Sequence, residues 1–321
     1  MKSNTSLVSS LKADTYELCQ PEGRMVGTPG HATAERFVSL RLSELGCIPY
    51  RGDSFALPYE CEGDHFTNFA GVIPGRDRSL PPLLIGAHYD SVIPAPCADD
   101  NGAAVAICLA LGQLVHDQGG FERDLIVAIF DAEEPPYFQT EGMGSNRFYE
   151  DEVDERGIHF AMIYDLVGHD LALPGLSLPV PGLGGLAFVT GAESHPELPA
   201  IIEDTPLPSK LKLIATLNRY PGDMSDHGIF RKNGVPYLFF SCGRWEHYHQ
   251  ETDTPDRLNY KKMARLTELS MDLIQQLDGT PLAEFGEAEE TAAFEGRTFR
   301  RTLGPAYPLA CRWFGVDGME D

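Results

Sequence analysis

Six short, apolar segments rich in β-branched and aromatic residues recur along the chain and constrain its fold more than any other feature. They span residues 66–73, 83–88, 124–131, 159–165, 185–190 and 235–241. Apolar runs of this length predict short strands, and the middle ones read as strands buried on both faces. Stretches with helical character lie between or beside them, at residues 31–46, 102–116, 143–150, 194–203 and 259–277. The alternation predicts an α/β fold, a three-layer α/β/α sandwich with a mixed, mostly parallel central sheet.

The length of 321 residues suits one large domain, which we place at residues 1–280. Insert loops are expected at about 135–143, 169–184 and 204–223, the last two because they are rich in Pro, Gly and Leu. Beyond them, residues 281–321 change from the acidic "EFGEAEE" to basic and aromatic stretches. We treat this segment as a C-terminal extension whose role the sequence does not indicate.

The net charge of −23 argues against nucleic acids and anionic membrane surfaces as partners. The N-terminal residues lack the apolar core of a secretory signal. The chain also lacks the run of roughly eighteen apolar residues that a membrane-spanning helix needs. We therefore expect a cytoplasmic protein, and the sequence leaves open whether it forms a homo-oligomer.

Ionisable residues follow four of the predicted strands at their carboxyl ends. The set comprises His88 and Asp90, Glu133 and Glu134, Asp165, and His247 and His249, with Asp99 and Asp100 in the loop that opens helix 102–116. In open α/β sheets, sites form at this edge. Each residue alone is typical of a solvated loop, but carboxylates that converge without a counter-ion cost stability. No Lys or Arg lies in 83–104 or in 125–146, so a divalent cation is the simpler source of neutralising charge.

Carboxylate and imidazole groups without thiolates suit zinc, cobalt or manganese. Three carboxylates and two imidazoles are too many for one tetrahedral zinc with an open position. They suit two ions that share a bridging carboxylate and leave room for water or substrate. The two ions together carry more charge than Asp99, Glu134 and Asp165, and the surplus would hold a bridging hydroxide. Glu133, left over from this count, is then placed to accept the proton of that water.

Six motifs in a fixed order resemble the M28 family of zinc-dependent aminopeptidases, over about residues 20–278. They are "GAHYDS", "CADDNGAA", "DAEE…GMGS", "IYDLVG", "SDHGIFRKNGVP" and "YHQETDTPDRL". The resemblance implies that zinc, two ions per chain, is held by His88, Asp99, Glu134, Asp165 and His249. It implies that Asp99 bridges the ions and that a cis peptide bond joins it to Asp100. It also implies that Glu133 is the general base and that Asp90 orients the His88 ring.

Several alternatives stay open. Asp100 is a candidate for supporting the ligands or contacting the substrate. His247 is a second candidate for the last ligand position, or a substrate contact. Asp226 and His227 match a family segment that packs behind the site, where they either support it or are purely structural. Residues Tyr137 and Phe138 of the first insert are expected to line a substrate pocket or to pack as part of a lid.

The function that follows from the resemblance is an exopeptidase that removes N-terminal residues from peptides. The alternative is a glutaminyl-peptide cyclotransferase with a single zinc, because the insert at 135–143 resembles those relatives. Retention of the second Asp in "ADDN" is typical of the dinuclear peptidases instead. A third interpretation is an inactive relative that serves as a binding module, although every expected ligand position is filled.

Overall fold

The computed structural model describes residues 4–173, 178–179, 183–282 and 291–307. Its helices are α1 (Asn4–Leu18), α2 (Pro29–Glu44), α3 (Ala103–Asp117), α4 (Gly144–Arg147), α5 (Leu198–Asp204), α6 (His227–Lys232), α7 (Tyr260–Gly279) and α8 (Thr291–Leu303). Its strands are β1 (Ile48–Pro49), β2 (Ala56–Cys61), β3 (Asp64–Ile73), β4 (Leu83–His88), β5 (Leu125–Phe130), β6 (Phe160–Tyr164), β7 (Ala172–Leu173), β8 (Leu178–Pro179), β9 (Leu186–Thr190), β10 (Lys212–Ala215) and β11 (Tyr237–Ser241). None of these helices has the length and apolar character needed to cross a membrane.

One mixed sheet organises the molecule. Its strands run in the order β1-β3-β5-β4-β6-β11-β9-β10, and β2 pairs with β3. The central strands β5, β4, β6 and β11 are parallel to one another. Antiparallel pairs join β3 to β5 and β9 to β11. Because the central strands are parallel, their carboxyl ends lie at the same edge of the sheet.

Both faces of the sheet are covered, as the apolar runs predict. In β5, Val127 and Ile129 contact a large core cluster that contains residues of α1, α2, α3 and α7. The alternate residues Ile126 and Ala128 contact a second cluster, which contains Ile229 of α6. A period of two therefore sends successive side chains into opposite cores. The predicted α/β sandwich with a mixed central sheet is confirmed.

Two elements differ from the sequence prediction. Strand β10 lies within the interval 204–223, so the prediction that this whole interval is a loop was wrong. Its few apolar residues lie among Pro and Gly, which obscured the strand signal. Helix α1 was not predicted, because its apolar spacing is broken by Ser, Lys and Asp. Of the interval 169–184, residues 174–177 and 180–182 lie outside the described part of the chain.

Helix α8 belongs to the predicted C-terminal extension, and it packs beside the edge strand β10. Thr298 Oγ accepts a hydrogen bond from the Ala215 amide at 3.1 Å, and the Thr302 hydroxyl donates to the Leu213 carbonyl at 2.6 Å. Phe294 of the same helix is buried in the main core cluster. The described part of the extension is thus integrated with the sheet.

Helix α3 gives a direct test of this packing. Leu109 is fully buried, whereas Leu40 on α2 is 57% exposed. We expect Leu109→Ala to lower the free energy of unfolding by about 2–5 kcal/mol, because a cavity remains in a close-packed core. The matched change Leu40→Ala should stay within about 0.5 kcal/mol of the wild type. Urea denaturation of both variants measures the difference, and equal losses would contradict the assigned packing of α3.

Candidate metal centre

The predicted ionisable residues meet at the carboxyl edge of the parallel strands. His88 is the last residue of β4, and Asp165 follows directly after β6. Glu133 and Glu134 lie in the connection after β5, and Asp100 lies in the turn Ala98–Gly102 that precedes α3. His249 belongs to the loop between β11 and α7. Five chain segments thus supply one cluster.

Within this cluster, two groups of three residues have the geometry of metal sites, and they share one carboxylate. The first is His88, Asp100 and Asp165, and the second is Asp100, Glu134 and His249; within each group, the ligand atoms lie within 4.8 Å of one another. His88 Nε2 is 3.5 Å from Asp100 Oδ1, and His249 Nε2 is 3.2 Å from Asp100 Oδ2. Zinc bonds of about 2.0–2.2 Å at tetrahedral angles separate ligand atoms by about 3.3–3.6 Å. The observed spacing therefore fits such ions.

The hydrogen-bonding state of these side chains also points to cations. Each of the five residues has a buried nitrogen or oxygen atom with no hydrogen-bond partner among the described residues; the atoms are His88 Nε2, Asp100 Oδ2, Glu134 Oε1, Asp165 Oδ1 and His249 Nε2. Buried polar atoms are rarely left unpaired, because their desolvation then goes uncompensated. Metal coordination by the same atoms would satisfy all five.

Asp100 is the carboxylate that the two groups share, whereas Asp99, the predicted bridging residue, belongs to neither group. Asp99 Oδ1 accepts hydrogen bonds from the amides of Gly168 and His169 at 2.6 and 3.0 Å, and its Oδ2 lies 2.5 Å from His169 Nδ1. Its carboxylate is thus occupied by the loop after β6. The cis peptide bond likewise follows Asp100, joining it to Asn101 instead of linking Asp99 to Asp100.

Two buried charged residues hold the turn that presents Asp100. The Asp253 carboxylate accepts hydrogen bonds from the amides of Asp99, at 2.9 Å, and Asp100, at 3.1 Å. The Arg24 guanidinium donates to the carbonyls of Tyr89 and Cys97 in the segment before the turn. Asp253 entered the sequence prediction only within the motif "YHQETDTPDRL", and Arg24 was given no role. No local sequence pattern indicates these contacts, because the partners of both side chains are backbone groups far away along the chain.

Asp90 connects the first ligand to the Glu-Glu pair. Its Oδ1 is 3.2 Å from His88 Nδ1 and accepts the amide of Glu133 at 3.1 Å, while its Oδ2 accepts the amide of Glu134 at 3.0 Å. A carboxylate at Nδ1 fixes the orientation of the ring and leaves Nε2 for a metal. Glu133 Oε2 lies 3.7 Å from His88 Nε2, beside the first group of ligands.

The electrostatics of the cluster favour added positive charge. Burial, and next the charge of Asp100, raise the pKa of Glu134 to about 8. Burial also raises the pKa of Glu133 well above its ordinary value, although the charge of His88 opposes the shift. Burial lowers the pKa of His249, but the carboxylates of Asp100 and Glu134, 3.2 and 3.3 Å from its Nε2, outweigh it and bring the pKa to about 9. Without metal ions, these side chains therefore retain protons that divalent cations would displace.

The remaining candidates lie outside the two groups. His247 Nδ1 is 2.8 Å from Thr252 Oγ1, and its ring contacts Trp245 edge-on. His227 is buried and stacks on Phe239 with ring centroids 4.1 Å apart, and burial lowers its pKa to about 4. Asp226 is fully buried near the cluster, and burial raises its pKa to about 7. These positions support an indirect role for Asp226 and a packing role for His227.

A cavity of about 1070 Å³ opens onto the cluster. Asp100, Glu133, Glu134, Asp165 and His249 all line it, and most of its other lining side chains are apolar. From the first insert, Phe138 lines the cavity. Tyr137 instead packs edge-on against Phe66 and donates a hydrogen bond to Asp64 at 2.9 Å. The insert therefore contributes one of its two aromatic residues to the wall.

Residues 68–274 match the protein family described as Peptidase family M28. The chain belongs to peptidase family M28. This membership supports a metallopeptidase, and the two ligand groups lie entirely within the matched segment. Helix α8 lies outside it.

Individual proteins are also similar to this chain. The uncharacterized protein YfbL of Escherichia coli (strain K12) is 30% identical over 211 residues, which is 59% of this chain and 64% of YfbL, less than two thirds of its length. The leucine aminopeptidase precursor from Bacteroides thetaiotaomicron aligns with a TM-score of 0.65 and 15% identity over 84% of this chain and 96% of that one. The Porphyromonas gingivalis glutaminyl cyclase aligns with a TM-score of 0.66 and 15% identity over 84% and 98%. At these identities, the two structures show the fold alone.

Metal content distinguishes the two adjacent aspartates. We expect the protein purified with zinc to hold about two ions per chain, and Asp100→Asn to hold fewer than one, because both groups lose a charged ligand. Asp99→Asn is the matched control and should retain about two. Elemental analysis of dialysed protein measures the ratio. Equal metal content in the two variants would show that Asp100 is not shared.

The pKa shifts predict how the metal-free protein responds to pH. Glu134 and His249 have folded-state pKa values above their ordinary ones, so the folded state binds more protons than the unfolded state. Their stabilising contribution is present at low pH and is lost as pH rises through about 8 and 9. The melting temperature of chelator-treated protein should therefore fall between about pH 6 and about pH 9. Excess zinc should abolish most of that fall, and a metal-independent profile would count against the cluster.

Proposed function

We propose that this protein is an aminopeptidase with two divalent metal ions, zinc being the first candidate. His88 and Asp165 would hold one ion, Glu134 and His249 would hold the other, and Asp100 would contact both. The proposal depends above all on one observation: two complete ligand groups share the Asp100 carboxylate and face a cavity of substrate size. Membership of a peptidase family supports peptide hydrolysis as the reaction class.

Bound ions of this kind polarise a carbonyl group and lower the pKa of water. The remaining chemistry needs a proton acceptor, and Glu133 is the candidate because it lines the cavity and belongs to neither ligand group. Glu133 would accept a proton from the attacking water and deliver it to the departing amine. The water oxygen adds to the peptide carbonyl, and the C–N bond breaks. The amide of Glu133 donates to Asp90, which fixes its backbone beside the first ligand group.

The charge of the cavity supports specificity for a free amino terminus. Six carboxylates line it, whereas among the described lining residues only Arg244 is a lysine or arginine. Four of the six belong to the cluster, those of Asp100, Glu133, Glu134 and Asp165, and the other two are Asp223 and Glu295. Arg244 is exposed and lies over the Tyr248 ring at 4.7 Å. An ammonium group is therefore favoured close to the cluster. An enzyme that requires this group cleaves only at the N-terminal end of a peptide.

Glutaminyl-peptide cyclisation is the competing activity, because the insert at 135–143 reaches the cavity through Phe138. That reaction would need one zinc and would leave His88 without a direct ligand role. The arrangement of His88, Asp100 and Asp165 as a second complete group favours the peptidase.

Activity of the zinc-loaded protein tests the proposal. We expect hydrolysis of aminoacyl-arylamides that is lost on chelation and restored by zinc, cobalt or manganese. Glu133→Gln should retain its metal and lower kcat by about 10²–10⁴-fold, because the proton acceptor is removed. The same substrates with an acetylated amine should be resistant. Failure of every metal to restore hydrolysis would overturn the proposal, and pyroglutamate formation from N-terminal glutamine with about one zinc per chain would favour the cyclase.

A further inference from the structure

Helix α8 covers the edge of the central sheet at β10, and its side chains, not the backbone of another strand, form the hydrogen bonds to that edge. In β10, the amides of Lys212 and Thr216 bond to the β9 side, donating to the carbonyls of Gly185 and Val189. The intervening odd-numbered residues direct their backbone groups outward, to the edge. Edge groups of this kind are normally exposed to solvent or covered by another element.

Three residues of α8 meet these edge groups in register. Thr302 donates to the Leu213 carbonyl at 2.6 Å, Thr298 accepts from the Ala215 amide at 3.1 Å, and Glu295 accepts from the Leu217 amide at 3.3 Å. Four residues of helix rise about 6 Å, and two residues of strand span about 6.6 Å. The spacing of Thr298 and Thr302 therefore matches that of Ala215 and Leu213. An ion pair between Arg297 and Glu203, at 2.7 Å, ties the helix to α5 as well.

This anchoring places a second row of α8 residues in the wall of the cavity. Phe299, Leu303 and, just beyond the helix, Tyr307 line it together with Glu295. These positions recur every four residues and so lie along one side of the helix. Phe299 and Leu303 are only half-buried, although both are large and apolar. Their unburied surface is available to a ligand in the cavity.

The rest of the wall has the same character. Strands β9, β10 and β11 contribute Leu186, Phe188, Ile214 and Phe239 to it. The metal ligands belong to the same cavity, so a substrate group that fills the apolar part remains connected to the reacting centre. A cavity of about 1070 Å³ exceeds what a small side chain such as that of alanine can fill.

We infer that α8 is the specificity wall of this enzyme, and that Phe299 and Leu303 select substrates whose N-terminal residue has a large apolar side chain, such as leucine or phenylalanine. The inference builds on the proposed aminopeptidase activity and assigns it a substrate class. It also gives the C-terminal extension a role, since α8 lies beyond the segment matched to the M28 family. Selection arises because each additional buried methylene group strengthens binding by transfer out of water.

Substrate preference provides the kinetic test. The wild type should favour leucyl- and phenylalanyl-arylamides over the alanyl compound by roughly 10–200-fold in kcat/KM. Phe299→Ala and Leu303→Ala should each reduce that ratio by about tenfold, mainly through the larger substrates. Phe294→Leu is the matched control on the same helix, because Phe294 faces the core and does not line the cavity. It should leave the ratio unchanged, and zinc content would show that each variant keeps its site.

Binding provides a readout that does not depend on turnover. Calorimetric titration of the zinc-loaded protein with phenylalanine amide and alanine amide should give an affinity ratio that falls in Phe299→Ala and Leu303→Ala. If hydrolysis is absent but this ratio falls, the wall assignment stands and the proposed peptidase activity is overturned. If hydrolysis is present and neither ratio changes in either variant, the activity stands and the role of α8 is overturned. An unchanged ratio in Phe294→Leu alone, alongside reductions in the other two, supports the inference.

Discussion

Repulsion between buried carboxylates is the constraint on which the rest of this structure depends. Asp100, Glu133, Glu134 and Asp165 converge at one edge of the sheet, and all four are buried. Lys and Arg are absent from the segments that carry the first three, so no lysine or arginine close in sequence neutralises them. Unpaired carboxylates in such a place either retain protons or bind metal ions. The two histidines in the cluster, each with an unpaired Nε2 atom, make metal binding the better solution.

Geometry at this edge is fixed from behind by acidic residues that belong to neither ligand group. Asp90 joins the ring of His88 to the backbone of Glu133 and Glu134, and Asp253 holds the turn at Asp100 through its amides. Asp99 performs a comparable task for the loop at His169. A single cluster thus contains carboxylates of two kinds. The carboxylates that accept hydrogen bonds from backbone amides shape the loops. The carboxylates that do not accept such hydrogen bonds face the cavity.

The sequence predicted the central strands well, because a strand buried on both faces must be apolar along its whole length. It located the edge residues His88, Glu134, Asp165 and His249 for a related reason, since each follows an apolar segment or a recognisable motif. It did not distinguish Asp99 from Asp100. The two are adjacent and chemically identical, and only the direction of the turn, set by Asp253 across the fold, separates them. Strand β10 was missed because its short apolar run lies among Pro and Gly residues, and helix α8 lies in a segment to which the sequence assigned no structure.

The pairing of β10 with α8 has a consequence for how function is divided along the chain. Residues within the M28 segment supply every candidate metal ligand and the candidate base. The helix that closes the sheet edge lies outside that segment and reaches the same cavity with apolar side chains. Its anchoring uses two threonine hydroxyls and the Glu295 carboxylate, so Phe299 and Leu303, whose side chains take no part in these hydrogen bonds, can vary without loss of the edge contacts. The candidate ligands and the α8 side chains therefore belong to separate parts of the chain, and the α8 part of the wall can change while the two ligand groups stay constant.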